Sequence, residues 1–347
     1  MATRVPTAAL AGVISVALVL AGCSAESTSA GPAATELSYD EHNRGPVPIP
    51  PPERDLQSVS ATPWFHVSDT SMILEGVTFD AAGNMYFCDV SGRRVLRLTP
   101  QRQLSTVVRL ERLSPGGLAF GPDGRLFVAA LGDGYHQGAV MAVNTDGSGL
   151  RPVIPTDAGY LPNDLVFGPE EGFYFSDFRG SSTNPAGGIY YASPDFSAIT
   201  PILPHLAQAN GVALSPDGKQ LWATEFARNL LHRVELADAT AVAPIGTAIA
   251  YRFNGPAPDS MRVDTDGNVY VAVYGQGRVL VFNRNGIPIG QVLLPDRAHG
   301  RNLESTSLAI RPGTRDMYIV ANDGSGVQGA HIFHAMAFAD GLPGRSR

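Results

Sequence analysis

Residues 161–191, LPNDLVFGPEEGFYFSDFRGSSTNPAGGIYY, hold in one place every part that the rest of the chain repeats in altered form. Two short polar residues, Asn163 and Asp164, lead into an apolar strand of Leu165, Val166 and Phe167. A Gly-Pro-Glu-Glu-Gly turn follows, then a second strand over 173–176, then Asp177. A loop rich in Gly, Ser and Asn opens onto a third strand over 188–191. Short apolar runs cut by turn-forming residues specify an antiparallel meander, and no helical period competes with it.

From about residue 63 the pattern returns as EGVTFDAAGNMYF, GGLAFGPDGRLFV, NDLVFGPEEGFYF, NGVALSPDGKQLWA, DSMRVDTDGNVYV and TSLAIRPGTRDMYI. Aligned on Phe79, Phe120, Phe167, Leu214, Val263 and Ile310, the copies lie 41, 47, 47, 49 and 47 residues apart. Six units of that length, each of about four strands, predict an all-β, six-bladed β-propeller over residues 63–347. Packed helices or a parallel sheet would need helical segments that are absent, and a sandwich would not keep the period. With 38 Gly and 27 Pro, composition also favours many short strands over long helices. Ring closure is expected through residues 64–67 pairing with the C-terminal blade.

In a propeller, equivalent positions near the start of each innermost strand converge on the central channel. Four residues before the alignment anchors, those positions are Glu75, Gly116, Asn163, Asn210, Asp259 and Thr306. The carboxylates of Glu75 and Asp259 and the amide carbonyls of Asn163 and Asn210 form a set of hard oxygen donors with a summed charge of −2. Calcium takes about six to eight oxygens, so four from the protein leave places for water or substrate. The register offers no His or Cys, which disfavours zinc, and an all-oxygen cage suits calcium better than magnesium. Turn formation explains Asn or Asp at one or two strand starts. It does not explain Glu75, a poor turn former, or the absence of Lys and Arg from the ring.

Residues 1–22 are predicted to be a lipoprotein signal peptide, with Arg4, an apolar run over 8–20 and the ending Leu20-Ala21-Gly22-Cys23. That ending resembles the bacterial lipobox, which implies cleavage before Cys23, lipid on its thiol and a location on the outer face of the cell membrane. An ordinary secretory signal with a chance cysteine is the other reading; the run is short for a transmembrane span. Residues 23–62, Ser-rich and then Pro-rich, are predicted to be a flexible tether. Cys88 is left without a partner and is expected as a small buried residue. A net charge of −7 with no basic run beyond isolated pairs such as Arg93-Arg94 argues against a nucleic-acid partner, and the only membrane contact expected is the lipid anchor.

The runs GFYFSDFRGSSTNPAGGIYYASPDF, ANGVALS, LWATE, GPAPDS and VYGQGRVLVFN resemble the gluconolactonase and senescence-marker-protein family of propellers, most closely its bacterial drug-responsive lactonase branch. The resemblance covers residues 60–340. It implies calcium in the channel on Glu75, Asn163, Asn210 and Asp259, with Ser260 as an additional ligand, and Asp259 as the catalytic acid/base in hydrolysis of a lactone. The drug-responsive branch carries Asp where this chain has Asn163, so weaker calcium binding is expected. Some relatives hold a second, structural calcium near His136, Gly138, Asp157 and Tyr160; His136 stands where an oxygen ligand would be needed, which leaves that ion open.

Ser71, Ser181 and Ser182 lack a Gly-x-Ser-x-Gly elbow, and the eight histidines are scattered. Asp164, Asp177 and Arg179 are expected to buttress the third blade, and Tyr191, Phe226 and Tyr274 to be core. Two other functions fit the same scaffold: another ester or organophosphate hydrolase, or a non-enzymatic, calcium-stabilised binding propeller on the cell surface.

Overall fold

Each repeat folds as an antiparallel sheet whose strands are laid down in chain order. In the third, Pro162–Phe167 is innermost and is followed outward by Phe173–Asp177, Gly187–Ala192 and Ile199–Leu206. The computed structural model describes residues 37–40, 43–322 and 329–344. The chain divides into two units, Met1–Asp40 and Glu41–Arg347. Of the first, the described residues 37–40 are exposed and irregular, and residues 1–22, expected as a signal peptide, and Cys23 lie outside the described residues.

The second unit is a six-bladed β-propeller. Its innermost strands are Leu74–Phe79, Leu113–Phe120, Pro162–Phe167, Ala209–Leu214, Pro258–Val263 and Glu304–Ile310, each packed on the next and the last on the first. The core is divided among the blade interfaces. Six apolar clusters each join two neighbouring blades, so a blade's middle strands are covered on both faces. That is why Val269–Val273 and Arg278–Phe282 are wholly buried and read as nearly continuous apolar runs. The outer Ile199–Leu206 has buried residues only at intervals, as a sheet edge near solvent should.

The turns between first and second strands need a left-handed residue. Gly218 at φ +70° and Gly267 at φ +82° meet that requirement without a Cβ penalty, whereas the third blade uses Glu171 at φ +66°.

Thr62–Ser68 closes the ring as the outermost strand of the sixth blade, antiparallel to Ala330–Met336, as expected for residues 64–67. Part of the stretch 23–62, expected as a flexible tether, belongs to the fold. Pro51–Glu53 forms a 3-10 turn and Gln57–Ser60 pairs in parallel with Pro288–Leu293 at the edge of the fifth blade. The Glu53 side chain is buried in an ion pair with Arg278 and accepts the Tyr251 hydroxyl at 2.5 Å. An open sheet edge and a buried guanidinium together convert this Pro-rich stretch into part of the fold.

Candidate metal centre

Five of the six ring positions sit inside β-bulges, and Glu75 is the paired residue at the edge of the sixth. Against its second strand, each innermost strand slips by one extra residue: between Glu75 and Thr78, Pro115 and Leu118, Pro162 and Leu165, Ala209 and Val212, Pro258 and Met261, and Ser305 and Ser307. A bulge re-aims a side chain and frees backbone groups from the ladder. Hydroxyls from the second strands take up the freed groups. Ser176 Oγ accepts the Asp164 N–H at 2.9 Å, and Thr224 Oγ1 accepts the Gly211 N–H at 2.7 Å while donating to the Asp259 carbonyl at 2.8 Å. Glycine after the ring residue lets neighbouring blades close up: a Cβ on Gly211 would stand 2.6 Å from the Asp259 carbonyl oxygen.

The approach to the two amide ligands is pinned as well. Asp177 Oδ1 accepts the Leu161 N–H at 3.1 Å and Glu225 Oε1 accepts the Ala207 N–H at 2.9 Å, just upstream of Asn163 and Asn210. Arg179 Nε donates to both Asp177 oxygens, at 3.0 and 2.8 Å, and His232 Nε2 lies 2.9 Å from Glu225. Asp177 and Arg179 therefore buttress the third blade as anticipated, and Glu225 does the same in the fourth.

Glu75, Asn163, Asn210 and Asp259 are all buried. The Oδ1 atoms of Asn163, Asn210 and Asp259 have no hydrogen-bond partner. Buried acceptors are almost always paired, so three orphans at equivalent positions around one channel are a specific anomaly. Burial, reinforced by the Asp164 charge, pushes the Glu75 carboxyl up to about 8. Burial and the nearby Glu75 charge likewise push Asp259 well above the usual carboxylate range. Ser260 Oγ lies 3.5 Å from Glu75 Oε2, inside the same cluster. Thr306 turns away and donates to the Leu74 carbonyl at 2.5 Å, joining sixth blade to first. Two carboxylates, two amide oxygens and a hydroxyl fit a hard divalent cation. No cluster of three or more His, Cys, Asp or Glu occurs among the described residues, so a site here depends on its amides.

The mouth above these ligands is aromatic. Phe178, Phe226 and Tyr274 directly follow the second strands of three successive blades, and their N–H groups bond the Leu161, Gln208 and Ala257 carbonyls at 2.9, 3.0 and 2.9 Å. Phe226 contacts Phe178 and Tyr274 at centroid distances of 5.8 and 5.9 Å, and all three rings are half-buried. Phe226 and Tyr274 are therefore not core, because they lie past the ends of the second strands and stay half-exposed, in contact only with each other's rings and Phe178 among the aromatics; Tyr191 is core, packed on Tyr174. Burial and the adjacent Glu304 raise the Tyr274 hydroxyl pKa. Cys88 is fully buried opposite Glu75, and burial holds its thiol protonated. Around His136, where the sequence leaves a second ion open, the Gly138 N–H bonds the Tyr160 carbonyl at 2.7 Å, and His136 and Asp157 are exposed.

Residues 73–322 match the family model described as the SMP-30/gluconolactonase/LRE-like region. The chain belongs to that family. It is 44% identical over 310 residues to the lactonase drp35 of Staphylococcus saprophyticus, covering 88% of this chain and 95% of the relative. The lactonase drp35 of Staphylococcus haemolyticus is 43% identical over 312 residues, with 88% and 96% covered. Among solved structures, a regucalcin from Agrobacterium tumefaciens, described as a calcium-binding protein, superposes with TM-score 0.66 at 17% identity over 82% of this chain and 98% of that one. A gluconolactonase from Xanthomonas campestris does so with TM-score 0.64 at 18% identity, over 81% and 96%. At such identities the structural likeness concerns the fold, and the family's six-bladed propeller is the fold found here.

Proposed function

We propose that this family member is a calcium-dependent lactonase whose ion is held by Glu75, Asn163, Asn210 and Asp259, with Ser260 beside them. The observation that carries the proposal is the trio of unpartnered buried oxygens on Asn163, Asn210 and Asp259. The oxygen-only donor set and the calcium-binding neighbour support calcium, and the relatives named lactonases support ester-ring opening. Bound calcium would supply a Lewis acid that polarises the lactone carbonyl.

The chain's own groups complete the chemistry. Asp259 is buried with its Oδ1 unpartnered, and its carboxylate is the group to accept a proton from the attacking water. Glu75 is oriented by the Gly76 N–H at 3.3 Å and by Ser260. The wall of Phe178, Phe226 and Tyr274 offers apolar surface to the substrate ring and limits water at the mouth.

Turnover of a panel of simple lactones, measured with calcium, after chelation and after calcium is restored, tests the proposal. Activity is expected to vanish and return, and Asp259→Asn is expected to lose at least about 100-fold in kcat. Full turnover without divalent ions, or an undiminished Asn variant, would sink it. Calcium-raised thermal stability with no turnover across the panel would favour a binding propeller instead. We further propose export and lipid attachment at Cys23; incorporation of labelled fatty acid that disappears in Cys23→Ala is the measurement that checks it.

A further inference from the structure

We propose that Arg262 is the floor of the metal centre, a positioning residue that bridges three blades beneath the oxygen donors and seals them from the cavity at the far end of the channel. This rests on the metal reading above. Three residues after each ring position the blades carry Thr78, Ala119, Val166, Ala213, Arg262 and Ala309. All six line a cavity of about 750 Å³, and none of the four proposed ligands does. Five of these side chains are small or short, so they leave the channel open at this level. The sixth is the longest cation available.

Its guanidinium reaches back toward the ring. One Nη donates to Asp164 Oδ2 of the third blade at 3.3 Å and to its own neighbour's carbonyl, Met261, at 2.6 Å; the other donates to the Val77 carbonyl of the first blade at 3.2 Å. Asp164 is fully buried and adjoins Asn163, Val77 lies two residues past Glu75, and Arg262 lies three past Asp259. One side chain thus fastens the three strands that carry three of the four ligands. Asp164 completes the brace, its Oδ1 accepting the Leu165 N–H at 2.9 Å and its Oδ2 the Val212 N–H at 3.4 Å in the fourth blade. Planar and two-armed, a guanidinium can hold a carboxylate and a carbonyl at once, which an ammonium on a flexible stem does poorly. With the far cavity closed off, water reaches the ion only from the aromatic mouth.

Terbium, a luminescent stand-in for calcium, tests this on the purified protein, because lifetimes in H2O and D2O count the waters on the ion. Arg262→Met is expected to raise that count by at least one and to lower kcat by about tenfold, the usual scale for losing a group that orients metal ligands. Arg262→Lys is expected to restore neither. If Arg262→Met misfolds, Arg262→Met with Asp164→Asn removes both charges of the buried pair and gives the same readout. An unchanged water count in the variant that folds overturns the floor, and a wild-type count in Arg262→Lys overturns the two-armed bridge. Wild-type protein that binds no terbium displaceable by calcium overturns the metal reading itself, and the floor with it.

Discussion

Glu75 shows the conflict built into the ring: a carboxylate buried among carboxylates, useful only when a cation shares the space. In metal-free protein its folded pKa of about 8 lies above the ordinary 4.5. The folded state therefore holds the proton more tightly than the unfolded chain. Its contribution to stability is fully present below about pH 4.5 and is lost as pH rises toward 8. Asp259 shifts in the same direction, and because each charge raises the other's cost the two titrate as a pair. Chelated protein is expected to melt at least about 5 °C lower near pH 8.5 than near pH 5.5, on the scale of roughly 2–4 °C per kcal/mol. Saturating calcium should remove most of that difference, because a divalent charge favours both ionised forms. Differential scanning calorimetry of wild type and Glu75→Gln separates this pair from other titrating groups; a wild-type slope that survives Glu75→Gln would show that the carboxyl is solvated.

At the scale of the strand and turn, the hairpin between Pro162–Phe167 and Phe173–Asp177 places a Cβ in the left-handed region at Glu171, where the fourth and fifth blades use Gly218 and Gly267. Glu171→Gly should relieve about 1–2 kcal/mol of steric cost against about 0.5–1 kcal/mol of added chain entropy. A melting temperature higher by about 1–3 °C, with unchanged turnover, is the expected result. Strands, turns and blade number were legible because each depends on local spacing. The same spacing placed Glu75, Asn163, Asn210 and Asp259 in one ring, since a constant offset from the anchors survives whatever the strand does between them. The face of each following residue was not legible. One extra residue in a bulge inverts the alternation of everything after it, so the side-chain direction of Arg262 could be read only once the six bulges were seen. The mouth aromatics were hidden for a related reason: whether Phe226 and Tyr274 are inside or outside a blade depends on where the second strand ends.

At the scale of the molecule, a propeller must hold its first and last blades together, and this chain does so with an N-terminal segment that is itself anchored on a further blade. Thr62–Ser68 supplies the outer strand of the sixth blade, and Gln57–Ser60 extends the fifth. Between blade and segment lies a buried polar cluster. Arg278 is fully buried, pairs with Glu53 and donates to Gln276 Oε1 and Gln291 Oε1, each at 3.0 Å, while Gln291 donates to the Glu53 carbonyl at 3.1 Å. Removing one partner of such a pair strands the other charge in the interior, at about 3–5 kcal/mol. Glu53→Gln is therefore expected to lower the melting temperature by roughly 10 °C, at about 2–4 °C per kcal/mol. A chain truncated to begin at Ala61 should fall at least as far. In Arg278→Met the Glu53→Gln change should cost much less, because the charge it strands is gone. Equal losses in both backgrounds would mean that the N-terminal segment is held by its strand pairing alone, and that Glu53 adds nothing to the closure.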